Sequence, residues 1–457
     1  VKRSNSEFLP YLLNTTNFTE FEWTNVVKNF AQIDFSDFQL SDLTTFFTQT
    51  EFISEIDSKT VRHSYTDLIH FLYLMEIPGI QDFIFEYVIK FLNAEWQPTQ
   101  LTGLLVIPKI FNQLSANAKK SLFDSLLEFH ESENINARIL YIKACTSIIS
   151  QLDEAESDNI FETILSLLED PSTFVINEIP GFLVKYAQIF SKVQEIINPM
   201  NSLVNHTNWR IRFSSIYSLK SLFENVSVPF DEFYPFLESA SRDSENEIRI
   251  AVCELLPSVL RMKNVDSKKL QALIDRLIKD TNHHCRTSIA SSLPLFANCL
   301  GYEFVTSHLL DLIPDSSREV KLAAIDSLKS KEIARVTALE CILTLIKSKH
   351  QYLWREKQNI VDIIPSFIET KSEKVQDTPH FIELIKLLLN DGADNVRMEM
   401  IKIFPLLRKE LGNEWFQNRI YPIIEAASKD LDYQIRGTAV KTIITCKIYD
   451  DFGLRII

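Results

Sequence analysis

The sequence predicts an all-α fold, an α-α solenoid of about twelve two-helix repeats running as one continuous array over residues 1–457. Three observations predict it: glycine is scarce, period-2 strand patterns are absent, and a polar turn of fixed design recurs along the chain. Eight glycines in 457 residues lie far below the roughly 7% norm, which disfavours turn-rich β folds and glycine-cradled phosphate sites alike. A hydrophobic content of 46% with 24% charged residues allows a large buried interior.

The recurring turn sets an aspartate six residues before a basic residue. It occurs at Asp243/Arg249, Asp280/Arg286, Asp315/Lys321, Asp391/Arg397 and Asp430/Arg436, with steps of 37, 35, 76 and 39 residues between the aspartates. An apolar residue stands just before the basic one in Ile248-Arg249, Val320-Lys321, Val396-Arg397 and Ile435-Arg436, with weaker forms at Val61-Arg62, Ala137-Arg138 and Ile211-Arg212. Each unit reads as a helix, a polar turn such as 241–245, and a second helix such as 248–260. The aspartate is expected to cap the second helix and to complement its dipole. Pro235 and Pro422, each eight residues before a turn aspartate, are expected to bend first helices.

Charge narrows the partners. With 61 acidic against 47 basic residues and a net charge of −14, no excess of Lys and Arg is available for a phosphate backbone or an anionic bilayer, so neither nucleic acid nor membrane is an expected partner. Val1–Asn5 leads into Ser6–Pro10 instead of a signal-peptide core, and a cytoplasmic location with the nucleus as a second compartment is expected. The sequons at Asn14, Asn17, Asn205 and Asn225 then carry no weight. Six cysteines, Cys145, Cys253, Cys285, Cys299, Cys341 and Cys446, are scattered singly and read as small buried apolar residues. His283-His284-Cys285 has no second ligand pair at metal spacing and reads as a solvated turn, so no metal or cofactor is expected. No hydrolase, phosphate-loop or zinc-protease motif is present; neither catalysis nor a small-molecule substrate is expected.

The Asp/basic period resembles that of HEAT repeats, and the resemblance implies that each basic residue pairs with the turn aspartate of a neighbouring repeat. The structural ladder would then comprise Asp243, Arg249, Asp280, Arg286, Asp315, Lys321, Asp391, Arg397 and Asp430. Within that class the turns resemble the scaffold (A) subunit of protein phosphatase 2A. Asn208–Phe213 is similar to its S-W-R-V-R-Y turn and Asp280–Ser291 to D-A-N-Q-H-V-K-S-A-L-A-S. Trp354-Arg355 with Ile360–Pro365 resembles W-R-V-R-L-A-I-I-E-Y-M-P, Leu411–Trp415 resembles F-G-K-E-W, and Asp430–Arg436 resembles D-P-N-Y-L-H-R. On that register the chain would span repeats two to thirteen of fifteen, beginning at Ser6–Pro10 and cut near Phe452–Ile457.

The resemblance implies a non-catalytic scaffold that holds a serine/threonine phosphatase catalytic subunit and an interchangeable B-type regulatory subunit. Trp354, Arg355, Tyr433 and Arg436 fall at catalytic-subunit contacts, in a part running from about 333 to 457; Trp96, Arg138, Trp209 and Arg210 fall in the regulatory part, about 1–300. Such Trp, Tyr and Arg side chains combine rigid area with a polar handle. Trp23 and Trp415 read as core. Three positions depart from the pattern: Leu353 and Asp394 replace a lysine and an aromatic, and Ile176 stands where the ladder requires a basic residue. A nuclear transport receptor, also an acidic HEAT array, is the alternative class; a tubulin-binding array would show basic turns and linkers instead.

Overall fold

The computed structural model describes residues 24–25, 40–75, 77–313, 315–328, 330, 354–368, 379–446 and 448, and positions 339, 340, 342, 343, 346 and 347. Ser6–Pro10, Trp23, Cys341, Leu353 and Phe452–Ile457 lie outside them. Packing divides the chain into two compact units, Val1–Val226 and Ser227–Ile457. In both, helices alternate with short turns; among the described residues one isolated bridge, Pro229 to Lys263, is the whole of the β structure. The expected helical-repeat fold is what the chain adopts.

In the first unit the second helices of successive repeats are Lys59–Tyr73, Gln97–Ile110, Ile135–Ile148, Ile179–Phe190 and Trp209–Asn225, and each packs on the next. In the second unit the same layer runs through Asn246–Val259, His283–Ser292, Arg318–Ser327, Trp354–Ile363, Asp394–Lys402 and Tyr433–Thr445. First helices such as Ile80–Leu92, Phe230–Ala240 and Ser267–Ile278 lie against their own second helices. The cause is helical spacing: Ile248, Val252, Leu255 and Val259 recur every three or four residues and are all buried. Each such side chain stabilises by about 1.5–3 kcal/mol on leaving water, which no repeat collects without a neighbour.

The turn aspartates do not cap the second helices, contrary to expectation. Their Oδ1 atoms accept instead from the backbone N–H two residues on, as at Asp243/Glu245 (2.9 Å), Asp280/Asn282 (2.8 Å), Asp315/Ser317 (2.7 Å) and Asp430/Asp432 (2.9 Å). Capping falls to a later residue where one can do it: Asn134, Asn208, Asn282 and Asp432 accept from the first N–H groups of their helices. The aspartate shapes the turn, and the residue two positions on opens the helix.

The aspartate's other task is the ladder. Arg138, Arg249 and Arg286 each donate Nε to Oδ2 of the next repeat's aspartate, Asp170, Asp280 and Asp315, at 2.7 Å, and Nη2 donates to Oδ1 of the same group. Nη1 turns back to a carbonyl of its own turn, as Arg249 to Asp243 O and Arg286 to Asp280 O, both 2.7 Å. Lys357 continues the series to Asp391, and Arg397 reaches Asp430 at 3.2 Å. Ile176 does interrupt it. The second helix of that repeat is broken after Ile176, ahead of Pro180, and the carbonyl of Asn177 accepts from Ser214 of the following repeat at 3.0 Å.

Proline acts in a further place. Pro257, Pro294, Pro365 and Pro405 each stand eight residues after a ladder residue, and at Pro294 and Pro365 the second helix passes into a 3-10 turn. Pro235 sits inside its first helix, whereas Pro422 follows a break at Ile420 between Asn413–Arg419 and Tyr421–Ser428. Cys145, Cys253, Cys285 and Cys446 are buried free thiols and Cys299 is half-buried. Trp415, expected in the core, is only half-buried, because Phe416 takes the inward position beside it.

Burial pushes the Asp280 carboxyl up, but hydrogen bonds from Arg249 and the Asn282 N–H, with the Arg249 charge, outweigh it and hold the group below its ordinary value. Asp315 behaves likewise, with Arg286, the Ser317 N–H and the charge of Lys321 against burial. A lowered folded pKa means stability that is complete above the unfolded value of about 3.9 and is lost as pH falls through the folded one. Asp280→Asn is expected to cost about 3 kcal/mol at pH 7. In urea titrations that deficit should shrink below about pH 4; a deficit independent of pH would refute the linkage.

Candidate protein-binding site

Where the ladder residue turns inward on the first turn of a second helix, as Arg138 and Arg249 do, the residue three positions earlier, where the helix begins, stands at the end of the helix beside the turn. Counting back from Thr99, Arg138, Arg212, Arg286, Lys357, Arg397 and Arg436 gives Trp96, Ile135, Trp209, His283, Trp354, Asp394 and Tyr433. Trp96 is 58% exposed, Tyr433 69% and Phe174, beside the same position in its repeat, 71%; Ile135 and Trp354 are exposed too. These are large apolar groups facing water where polar residues would serve the fold equally well.

Two of the predicted pairs form compact units. The Arg210 guanidinium lies 4.8 Å from the Trp209 ring centre, and that of Arg355 lies 5.0 Å from the Trp354 ring. Such stacking fixes both side chains before any partner arrives. Trp96 is steadied differently, donating Nε1 to the carbonyl of Glu55 in the preceding turn at 3.1 Å. Tyr433 accepts from Gln434 Nε2 at 3.2 Å and stands beside fully exposed Leu431, while Arg436 returns Nη1 to the carbonyls of Asp430 and Leu431. Asp394, the departure in this register, holds Arg397 of its own helix and is exposed.

Arg138 needs correction as a partner contact. It is 9% exposed, and its donors are engaged by Asp170 and by the Ser132 carbonyl, so it is a rung of the ladder and offers nothing to a partner. Its weak sequence form arose because Ser132 stands where the other turns have aspartate. Lys357 was missed for the same reason, since Gln351 precedes it by six residues. The exposed members Ile135 and Phe174 were missed as well; the signal was their register, three or two residues before the ladder position.

Electrostatics distinguish the two units. In the first, exposed Glu95, Glu131, Glu133 and Glu169 share the turns with Trp96, Ile135 and Phe174, giving an apolar ridge with acidic flanks. In the second the ridge is mixed, with His283, His284, Arg318, Trp354 and Tyr433.

No protein-family model matches the chain, and no curated protein matches its sequence. Solved structures do. The chain is similar to yeast Kap95p in a complex with RanGDP, at 10% identity and a TM-score of 0.64, over 98% of this chain and 64% of that one. Kap121p bound to Pho4p matches at 12% identity and a TM-score of 0.61, over 100% of this chain and 52% of that one. A homology model of the full-length AP-3 complex matches at 13% identity and a TM-score of 0.55, over 96% of this chain and 82% of that one. The chain thus spans between half and two thirds of the karyopherins it matches. At this identity they share its fold, the HEAT-repeat solenoid. Among the described residues, no helix is long and apolar enough to cross a membrane.

Exposed ridge and buried rung should respond differently to truncation. Phe174→Ala is expected to move folding stability by no more than about 0.5 kcal/mol. Arg138→Ala, which strands the Asp170 carboxylate, should cost about 3 kcal/mol. Urea midpoints of the two variants measure both, and equal effects would contradict the assignment.

Proposed function

We propose that the chain is a non-catalytic protein-binding solenoid whose partners dock on the ridge of intra-repeat turns. The observation that carries this reading is the aromatic or aliphatic residue at the start of one second helix after another, exposed at Trp96, Ile135 and Phe174 and half-buried at Trp209 in the first unit, and exposed at Trp354 and Tyr433 in the second. Preordered Trp-Arg pairs supply rigid contact area at low entropic cost, as interface hot spots do. The acidic flanks of the first unit favour a partner segment with basic side chains among apolar ones.

Two specific roles fit. The structural neighbours favour a nuclear transport receptor, since karyopherins are HEAT arrays and one is seen with RanGDP. The Trp354-Arg355 and Tyr433 turns favour a scaffold for a phosphatase 2A catalytic subunit, with B-type regulatory subunits on Trp96, Trp209 and Arg210. Either role suits a cytoplasmic protein with access to the nucleus. The transport role has at least equal support.

Calorimetry with purified phosphatase 2A catalytic subunit and, separately, with Ran in each nucleotide state discriminates them. On the scaffold role, Trp354→Ala weakens phosphatase binding by about 2 kcal/mol and Ran gives no heat. On the transport role Ran binds and the phosphatase does not. Binding of neither would remove both roles. The broader reading fails if Trp96→Ala, Trp209→Ala and Trp354→Ala all leave the affinity of every bound partner unchanged.

A further inference from the structure

We propose that His283, His284 and Glu319 form a Zn2+ site that staples two consecutive repeats of the second unit. The sequence offers only an adjacent histidine pair. The fold adds the third ligand: Glu319, in the first turn of the helix Arg318–Ser327, reaches back to the start of the preceding repeat's second helix, His283–Ser292. Its Oε2 lies 3.4 Å from His283 Nε2 and 3.9 Å from His284 Nδ1, and the ligand atoms of the three residues all lie within 4.8 Å of one another.

Those separations suit a metal. Zinc binds imidazole nitrogen and carboxylate oxygen at about 2.0–2.2 Å, so two ligands of a tetrahedral ion stand about 3.4 Å apart. The carboxylate is already at that distance from one ring, and the other two edges need to close by an ångström or so. Neighbouring residues on a helix point about 100° apart, and toward Glu319 the two rings present unlike nitrogens, Nε2 of His283 and Nδ1 of His284. Their ring centres are 4.0 Å apart. Two imidazoles and one carboxylate complete three corners, and water takes the fourth, as in open zinc sites. Oxygen-preferring Mg2+ has no reason to choose it.

The position explains the residues. His283 and His284 occupy the two places on the ridge that Trp209-Arg210 and Trp354-Arg355 fill elsewhere, three and two residues before the ladder residue. Directly inward, Arg286 already joins the same two repeats through Asp315. A bound ion adds a second, surface link between the same turns. The positive end of the helix dipole opposes a cation here, and the Glu319 charge offsets it. The ligands are substantially exposed, and no acceptor holds the free ring nitrogens, so the affinity expected is micromolar and not that of a buried structural zinc.

The test is titration of the untagged chain with ZnCl2 by calorimetry, with melting curves at saturating and zero zinc. One ion per chain should bind with micromolar Kd and raise the melting point. His284→Ala and Glu319→Gln should each weaken binding at least about tenfold and abolish the rise, while His63→Ala, at an exposed histidine of the first unit, should change neither. The variant sites are exposed, and circular dichroism will report that they fold. Absence of stoichiometric binding overturns the proposal, as does binding that survives both His284→Ala and Glu319→Gln, since the ion would then sit elsewhere.

Discussion

A guanidinium taken out of water must have its N–H groups met, and that demand organises the repeats that carry Arg138, Arg249 and Arg286. Arg249 meets it by sending a two-pronged fork to Asp280 in the next repeat and another donor to the carbonyl of Asp243 in its own turn. Asp280, in turn, has its remaining capacity taken by the N–H of Asn282, which bends the chain into the start of the following helix. Turn conformation, helix start and spacing to the neighbour are therefore coupled through two side chains. A buried pair of this kind adds little net stability over apolar packing, yet it is costly to break; its worth here is that only one register of stacking satisfies both partners.

Where the rung is missing, the chain changes its means. The first unit has Asn93 where an aspartate would receive Arg62, and Arg62 accordingly turns to exposed Asp57 with its Nε buried and lacking an acceptor. Within the repeat that carries Asn93 the helices come close instead: a Cβ on Gly103 would fall 2.9 Å from Leu92, so Ile80–Leu92 and its own second helix Gln97–Ile110 touch through a residue without a side chain. Thr99, in place of a basic residue, shares a 3.2 Å hydrogen bond with Ser54 of the preceding repeat. Packing and small hydroxyls can hold neighbouring repeats together, though with less directional control than a charged fork.

The period was legible because both halves of a rung carry a sequence mark, aspartate and arginine six residues apart in one turn. The contact itself is between repeats, and that is where reading along the chain stopped. Arg138 was taken for a partner contact although Asp170, which it holds, was in view as the turn of a repeat whose own basic place is Ile176. Lys357 went unseen because its turn lacks the aspartate, even though Asp391 was identified as a ladder member. Glu319 meets His283 across 36 positions for the same reason. Capping was misassigned by a finer margin: Asp280 and Asn282 are both good caps by type, and only the backbone decides that the second one caps.

The ladder also explains why function is hard to read from this fold and easier from its turns. With the inward position committed to the rung and the residue just before it to the core, the residues three and two positions before it are left at the turn, and Trp-Arg, His-His and Asp-Asn all stand there without altering the stack. Structures sharing only a tenth or so of these residues keep the same fold, which says that stacking tolerates almost any ridge. Identity of partner must then reside in what is variable and exposed. A Trp stacked by its own Arg costs solvation that the fold does not require, and a carboxylate of the next repeat brought against two imidazoles is equally unnecessary to the ladder beneath it. Those are the places where selection for a partner or an ion has room to act.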